Sequence, residues 1–228
     1  MAISQSDVLF EDNHLIAIHK KAGELSQGDK TGDVSIVDDV KAFLKTKYNK
    51  PGNVYLGNLH RLDRPVQGIL LFAKTSKAAD RMSKAFRENK VRKTYWAIVE
   101  GIVKTTSGQI QSFLKKDTKT NIVKSFRQQT GGSKPSETHY NVLKTNNQFS
   151  LIELIPITGR SHQLRVHCAQ ELRHPIFGDV KYGSLNKTKD RSLYLLAKEI
   201  RFTHPVSKEL ICVSANVPKQ ELWQFFLD

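Results

Sequence analysis

No uninterrupted run of apolar residues in this chain is longer than five, and residues 69–73 form such a run. A membrane-spanning helix needs about 20 consecutive apolar residues, so the sequence predicts none. A short apolar run bounded by polar residues is typical of a buried β-strand. The fold must therefore be assembled from short strands and short amphipathic helices that are separated by polar turns.

Two segments show the apolar spacing of an amphipathic helix. The first runs from Ser35 to Tyr48, and Ser35 or Asp33 can cap it. The second is capped by Thr75 or Ser76 and runs to about Asn89. Residues 93–100 show the alternation of side chains between two faces that is typical of a strand. Tyr95, Ala97 and Val99 share one face. Less regular patterns predict further strands at 8–10, 15–20, 108–114, 121–126, 137–144, 149–155, 193–202 and 209–214, and further helices at 161–172 and 218–226.

These elements predict the fold class and the domain organisation. No linker rich in glycine, proline or serine divides the chain, so we expect one domain over residues 1–228. The order of elements predicts an α+β fold, with a mainly antiparallel mixed sheet and flanking helices and loops. Residues 129–135 contain Gly-Gly-Ser and predict a surface loop.

The charge of the chain gives the first indication of function. Lysine and arginine total 36 against 22 acidic residues, which gives a formal net charge of +14. Such an excess favours a polyanionic partner, most often nucleic acid. A basic protein without such a partner is the alternative that charge alone leaves open.

The basic residues fall into two clusters. The first lies between residues 74 and 93, where Lys77, Arg81 and Lys84 share one face of the predicted second helix. The second lies in a middle segment that we expect to be rich in loops, and it consists of Lys115, Lys116, Lys119, Lys124 and Arg127. One such helix face alone would be an ordinary solvated surface. Two clusters on a chain of this charge favour contacts with phosphate groups.

Three dense polar stretches carry the candidate chemistry. The first is His60-Arg61-Leu62-Asp63-Arg64-Pro65-Val66-Gln67-Gly68, in which arginines lie on both sides of Asp63. Nearby cations keep a carboxylate ionised. When this stretch is taken alone, a surface ion pair at the end of a strand is favoured over a catalytic role.

The second stretch contains Tyr95, which its strand pattern alone would place in or near the core. The third runs from Thr158 to His167 and opens a predicted helix. Its backbone N–H groups, with Arg160 and Arg165, suit an anion, and simple capping of the helix is the alternative.

Metal chemistry finds no support in the sequence. Histidines 162 and 167 are five residues apart and cannot share one face of a helix, and no cysteine pair has zinc-finger spacing. The three stretches contain only one carboxylate, Asp63, whereas a two-metal nuclease needs several. We therefore expect a reaction without a metal or a nucleotide cofactor.

The three stretches, in this order, resemble the motifs of the RluA-type pseudouridine synthase family. HRLDR, with a glycine four residues further on and then AKT, resembles the catalytic loop. VRKTYWAIVEG resembles the tyrosine motif, and ITGRSHQLRVHCAQELRHPIFGDVKYG resembles the arginine motif. EDNHLIAIHKKAGE resembles the first strands, so the resemblance spans nearly the whole chain. The chain departs from the family pattern at Val66-Gln67 and at Lys20-Lys21-Ala22-Gly23.

The resemblance implies a role for each candidate residue. Asp63 would be the catalytic group, Arg165 would pair with it, and Tyr95 would stack on the uracil. The target base must leave the RNA stack, and Arg61 would occupy the space that it vacates. The remaining residues implied in RNA binding or in shaping its site are His60, Arg64, Arg160 and Leu164, together with Lys77, Arg81 and Lys84.

The implied reaction is the isomerisation of uridine to pseudouridine in tRNA or in large-subunit ribosomal RNA, without a cofactor. A non-catalytic RNA-binding protein with the same fold is the competing hypothesis. The two cysteines, Cys168 and Cys212, favour a reducing compartment, so we expect a cytoplasmic protein. We also expect it to act as a monomer, without a metal and away from membranes.

Overall fold

The computed structural model describes residues 3–28 and 32–227, which group into two compact units. The first unit contains the described residues through Arg92 together with Ala197–Asn216. The second contains Lys93–Leu196 and the described residues from Val217 onward. The single domain that the sequence predicts over residues 1–228 stays a prediction.

The described residues contain eleven strands, which are β1 (Val8–Glu11), β2 (Leu15–Lys20), β3 (Gly57–Asn58), β4 (Gln67–Ala73), β5 (Arg92–Glu100), β6 (Ser107–Asp117), β7 (Ile122–Phe126), β8 (Lys134–Thr145), β9 (Phe149–Pro156), β10 (Leu195–Thr203) and β11 (Leu210–Ser214). Their α-helices are α1 (Ile36–Lys47), α2 (Ser76–Arg87), α3 (Gln163–Val166) and α4 (Glu221–Phe225). Short 3₁₀ turns lie at Gln5–Asp7 and Val180–Tyr182, and a π-helical turn lies at His167–Glu171. The predicted α+β class is confirmed. None of the helices in this described part of the chain has the length and apolar character needed to cross a lipid bilayer.

In the first unit, β2 pairs antiparallel with β1 on one side and with β4 on the other. All seven residues of β4 are buried, which explains why most of this strand reads as a continuous apolar run. β3 pairs with the end of β4, while β10 lies beside β4 and pairs with β11. This arrangement places the loop between β3 and β4, which carries Asp63, at the beginning of the most buried strand.

Gly68 explains the glycine that closes the first polar stretch. Its φ of +117° is one that side-chain-bearing residues rarely adopt, and a Cβ there would collide with the backbone of Ala197 on β10. The close approach of β4 and β10 therefore requires glycine at this position.

Both helices predicted in the first unit are confirmed, together with their caps. Ser35 and Asp38 form a capping box at the start of α1. The Thr75 hydroxyl accepts a hydrogen bond from the Ala78 N–H at 3.2 Å at the start of α2. α2 ends at Arg87, two residues before the predicted end.

The second unit contains an antiparallel sheet in the order β5-β9-β8-β6-β7. Two expectations are wrong here. The middle of the chain is not rich in loops, because β6 and β7 form a hairpin with Lys115 directly opposite Lys124. The loop expected at 129–135 is also shorter, because β8 begins at Lys134 and pairs with Leu114 of β6.

The helix predicted at 161–172 is only partly correct. His162 has a left-handed φ of 51°, α3 begins at Gln163, and after Val166 the chain widens into the π-helical turn, where Leu172 N–H donates to the His167 carbonyl at 3.0 Å. The delayed start follows from the Gln163 amide, whose oxygen accepts from the Arg160 N–H at 3.0 Å and so holds the preceding turn.

The closing helix also begins later than predicted. It starts at Glu221 rather than at Pro218, because Gln220 occupies the N-cap position. The Pro218 carbonyl accepts a hydrogen bond from the Gln224 side chain at 2.9 Å.

Candidate active site

The loop between β3 and β4 carries four of the predicted site residues in the first unit, with Arg61 exposed and Asp63 half-buried. Its backbone is held by Ser26, whose hydroxyl donates to the Leu62 carbonyl at 2.6 Å and accepts from the Leu62 N–H at 3.0 Å. The backbone N–H and the carbonyl of Leu62 are thereby both hydrogen-bonded. This reciprocal pair fixes the chain between Arg61 and Asp63.

Lys20, at the end of β2, holds the other half of this loop. Its side chain is completely buried, and its ammonium group donates to the carbonyls of Val66 at 2.7 Å, Arg64 at 3.1 Å and, more distantly, Asp63 at 3.4 Å. Burial lowers the pKa of Lys20 to about 8, against the opposing charges of Glu24 and Asp63. At neutral pH the ammonium therefore remains charged and fixes the backbone on both sides of the turn that follows Asp63.

His60 and Arg64 interact with their own unit. The Leu71 N–H donates to His60 Nε2 at 3.0 Å, and the imidazole stacks on Phe86 with ring centroids 5.3 Å apart. Arg64 Nε donates to the Gly23 carbonyl at 2.9 Å, and its guanidinium pairs with Asp33 at 3.0 Å. These contacts stabilise the loop, so contacts of either side chain with RNA stay predictions.

The three basic residues predicted on one helix face are all exposed on α2. Arg81 also donates to the Pro205 carbonyl at 3.2 Å, and the Lys84 ammonium lies 3.8 Å from the Glu88 carboxylate. Lys77 has neither kind of partner within the described residues. The face therefore presents positive charge, with Arg81 anchored to the unit that carries it.

Tyr95 lies in the second unit on β5, opposite Leu154 of β9. Its side chain is half-buried, whereas Ala97 and Val99 on the same face are fully buried. Along this face, β5 therefore passes from the buried Ala97 and Val99 to the half-buried Tyr95.

Arg165 is buried in the second unit and forms a bidentate ion pair with Asp179. Its Nε lies 2.7 Å from Oδ2 and its Nη2 lies 2.7 Å from Oδ1. The guanidinium carbon also lies 5.0 Å from the centre of the Tyr182 ring. The expected pairing of Arg165 with Asp63 stays a prediction, whereas Asp179 fixes two of the guanidinium nitrogens.

Asp179 and Tyr182, which contact Arg165, were not among the residues that the sequence predicted for the site. Both residues lie within the segment HPIFGDVKYG, which served only as part of the resemblance to the family. The Tyr182 hydroxyl accepts from the Val123 N–H at 3.0 Å and lies 2.6 Å from His162 Nδ1.

A buried polar network supports the turn that carries Arg160 and Leu164. The Thr158 hydroxyl donates to the Gln163 amide oxygen at 2.7 Å, and the Gln163 NH₂ group donates to the Thr138 hydroxyl at 2.9 Å. His167 Nδ1 lies 2.9 Å from that same hydroxyl. Arg160 Nε donates to the Pro135 carbonyl at 2.9 Å, and Leu164 is buried.

His167 is completely enclosed by this network. Its Nε2 lies 3.1 Å from the Ser136 hydroxyl and 3.2 Å from the Ser112 hydroxyl. Burial lowers the pKa of His167 to about 4, so the imidazole is neutral at pH 7. It joins β6 and β8 to the segment that follows Arg165.

The predicted catalytic residues are therefore distributed over both units. Asp63 belongs to the first, and Tyr95 and Arg165 belong to the second. Within residues 3–28 and 32–227, no three His, Cys, Asp or Glu side chains are grouped closely enough to hold a metal ion.

Comparison with known proteins identifies the family. The sequence family described as RNA pseudouridylate synthase matches residues 14–170, which is more than half of the chain. The chain belongs to this family. It is an RNA pseudouridine synthase, and the catalytic hypothesis is favoured over the non-catalytic one.

Individual relatives agree with this assignment. The tRNA pseudouridine synthase C of Haemophilus ducreyi is 35% identical over 242 residues, covering 97% of this chain and 94% of the relative. The ribosomal large subunit pseudouridine synthase C of Vibrio vulnificus is 33% identical, covering 95% of this chain and 67% of the relative. The solved structure of human RNA Pseudouridylate Synthase Domain Containing 4 superposes with a TM-score of 0.80 at 24% identity, covering 96% of this chain and 92% of that one, and shows the shared fold.

Proposed function

We propose that this enzyme converts a uridine of a folded tRNA to pseudouridine, with Asp63 as its catalytic carboxylate. The observation that carries the proposal is that Asp63 is half-buried on a loop whose backbone Lys20 and Ser26 hold, inside the segment that matches the family. A catalytic group supported in this way returns to the same geometry in every turnover.

The isomerisation makes a defined demand on such a carboxylate. The N1–C1′ bond of uridine breaks, the base rotates, a C5–C1′ bond forms, and the hydrogen on C5 is lost to water. No electrons are gained or lost, so the balance requires no redox partner. Asp63 would act either as a nucleophile toward the sugar or the base, or as the base that removes the C2′ proton to give a glycal.

Tyr95 and Arg165 have distinct proposed roles. The half-buried ring of Tyr95 offers a surface on which uracil can stack. Arg165 would supply a buried positive charge whose orientation Asp179 fixes. Arg61, which is exposed on the Asp63 loop, would enter the space that the extruded uridine leaves.

RNA binding is proposed to use the exposed basic face of α2, formed by Lys77, Arg81 and Lys84. The phosphate backbone supplies most of the affinity in such complexes, which makes binding strongly dependent on salt. His60, Arg64, Arg160 and Leu164 would shape the surrounding surface. We propose that the enzyme acts as a monomer in the cytoplasm, where its free cysteines would stay reduced.

The choice of tRNA rests on the relatives. The Haemophilus ducreyi protein, named for tRNA, matches over nearly the full length of both chains, whereas the Vibrio vulnificus protein, named for ribosomal RNA, matches over 67% of its own length. The test is tritium release from RNA labelled at uridine C5, with unmodified tRNA and large-subunit rRNA fragments supplied separately. We expect release from tRNA with intact strands. Release from rRNA alone would overturn the choice of substrate, and release from neither would overturn the proposed activity.

A further inference from the structure

Lys93 lies on β5 in the second unit, two residues before Tyr95, so the two side chains leave the same face of the strand. Tyr95 is paired with Leu154, and the same register extended by two residues brings Lys93 to the end of β9. The chain then turns through residues 157–160, which include Gly159 and Arg160. Lys93 is therefore placed where the tyrosine motif and the arginine motif meet within one unit.

Lys93 is half-buried, and no described residue pairs with its ammonium group. Among the described residues it forms no ion pair or hydrogen bond, and burial lowers its pKa with no carboxylate acting in the opposite direction. Lys20, which is completely buried, instead donates to backbone carbonyls of its own unit. A desolvated cation without compensation is unfavourable in the protein alone, so it indicates a ligand.

Gly159 leaves space beside this ammonium group. A Cβ built on Gly159 would lie 3.9 Å from Lys93 Nζ and would meet nothing else within 4 Å. The φ of Gly159 lies outside the left-handed region, so neither the backbone conformation nor close packing requires glycine. Absence of a side chain where nothing in the fold forbids one is typical of a position that a ligand approaches closely.

We propose that Lys93 and the Gly159 backbone form a binding site for one phosphate group of the substrate RNA, beside Tyr95. The proposal rests on the proposed function, because it assumes that the bound polyanion is RNA. An ammonium group carries three rotatable donors and a point charge, which suit phosphate oxygens. Arg160, the next residue, adds positive charge and is anchored through its Nε to Pro135.

The test measures how RNA affinity depends on salt for Lys93→Met, Lys93→Arg and the control Lys104→Met. Lys104 is exposed and has no ion pair among the described residues. Loss of one phosphate contact should make the slope of log affinity against log salt shallower by about 0.7 to 0.9 in Lys93→Met. Lys93→Arg should keep the wild-type slope, and Lys104→Met should not change it.

The unfolding temperature of Lys93→Met and the RNA affinity of Gly159→Ala provide two further tests. Lys93→Met should unfold at the wild-type temperature or above it, because it removes an uncompensated charge, whereas a structural lysine would lower that temperature. Gly159→Ala should weaken RNA binding while leaving the unfolding temperature unchanged, because its methyl group enters the space beside Nζ.

An unchanged slope in Lys93→Met would overturn the phosphate assignment, as would an equal change in Lys104→Met. Slower single turnover of Lys93→Met with an unchanged slope would show that Lys93 contacts the base instead and would also overturn it. Binding does not require turnover, so absence of tritium release by the wild-type enzyme would count against the proposed function and leave this test intact.

Discussion

Arg165 and Asp179 are joined by two parallel hydrogen bonds of 2.7 Å, and both side chains are almost fully buried. This pairing leaves the guanidinium little freedom to rotate, because Tyr182 also covers it. The orientation of the charge on Arg165 therefore depends on a carboxylate fourteen residues further along the chain.

Replacing Asp179 should damage both stability and turnover. Asp179→Ala leaves a buried arginine without its partner, and breaking a buried ion pair in this way typically costs about 3–5 kcal/mol. Urea unfolding would measure the loss. The exposed pair formed by Arg201 and Glu199 provides the control, since Glu199→Gln should change the unfolding free energy little. Equal effects of the two substitutions would contradict the structural importance of Asp179.

Stability should fall as the pH is lowered below 6.5, because of His167. Burial lowers its pKa in the folded state from 6.5 to about 4. Between these values the unfolded chain binds a proton that the folded chain does not, so stability decreases as pH falls through this window. At pH 5 the contribution is about 2 kcal/mol relative to pH 7.

Urea unfolding at pH 7 and pH 5 would measure this contribution in wild type and in His167→Gln. The variant should be less stable at pH 7 but should lose less stability between the two pH values. His19, whose pKa burial also lowers, contributes to the change in both proteins. The same change in both proteins would show that His167 is not the group responsible.

Lys20 should be essential for the geometry of the Asp63 loop. Lys20→Met would remove the donor shared by the carbonyls of Arg64 and Val66. The Arg64 carbonyl would keep the hydrogen bond from the Gly23 N–H at 2.8 Å, whereas the carbonyl of the buried Val66 would lose its ammonium donor. We expect a loss of about 1–3 kcal/mol in unfolding free energy, the typical cost of one unsatisfied buried group. Turnover at saturating RNA should fall as well.

Lys21→Met is the matched control for Lys20→Met. Lys21 is the next residue, is half-exposed and pairs with Asp7 at 3.1 Å. Its substitution should leave turnover close to that of wild type. If both variants kept full activity, the hydrogen bonds from Lys20 would not position the loop.

Arg61→Ala should have an effect that depends on the structure of the RNA. Extruding a base from a stacked stem-loop costs a few kcal/mol, and it costs much less in a flexible strand. Single-turnover rates at saturating enzyme should therefore fall more on a stem-loop than on a flexible RNA with the same flanking sequence. Equal slowing of both substrates would show that Arg61 does not assist extrusion.

The sequence predicted those features that local chemistry determines. Ser35 and Thr75, each one of two capping candidates, occupy the N-cap positions of their helices. Caps can be predicted from sequence because a capping side chain interacts with residues only a few positions away. The strand that contains Tyr95 was predicted from the alternation of its side chains between two faces. The three polar stretches located the loop, strand and turn that carry the candidate site.

The features that the sequence did not predict depend on tertiary structure. The burial of Lys20 results from the pairing of β2 with β4, which places it opposite Gly68. Asp179 is not a local partner of Arg165, so spacing alone could not pair them. Strands at 108–114 and 121–126 were predicted, but the extension of β6 to Asp117 and its pairing with β7 were missed, because exposed lysines such as Lys115 and Lys124 resemble a loop in sequence.

Tritium release by Asp63→Asn tests the central claim most directly. The substitution preserves volume but removes the group that can act as nucleophile or base. With tRNA labelled at uridine C5, we expect the rate to fall by about 10³-fold or more, with RNA affinity largely unchanged. Asp80→Asn, the same change at an exposed position of α2, should release tritium at the wild-type rate. A rate for Asp63→Asn within tenfold of wild type would contradict the assignment of Asp63 as the catalytic residue.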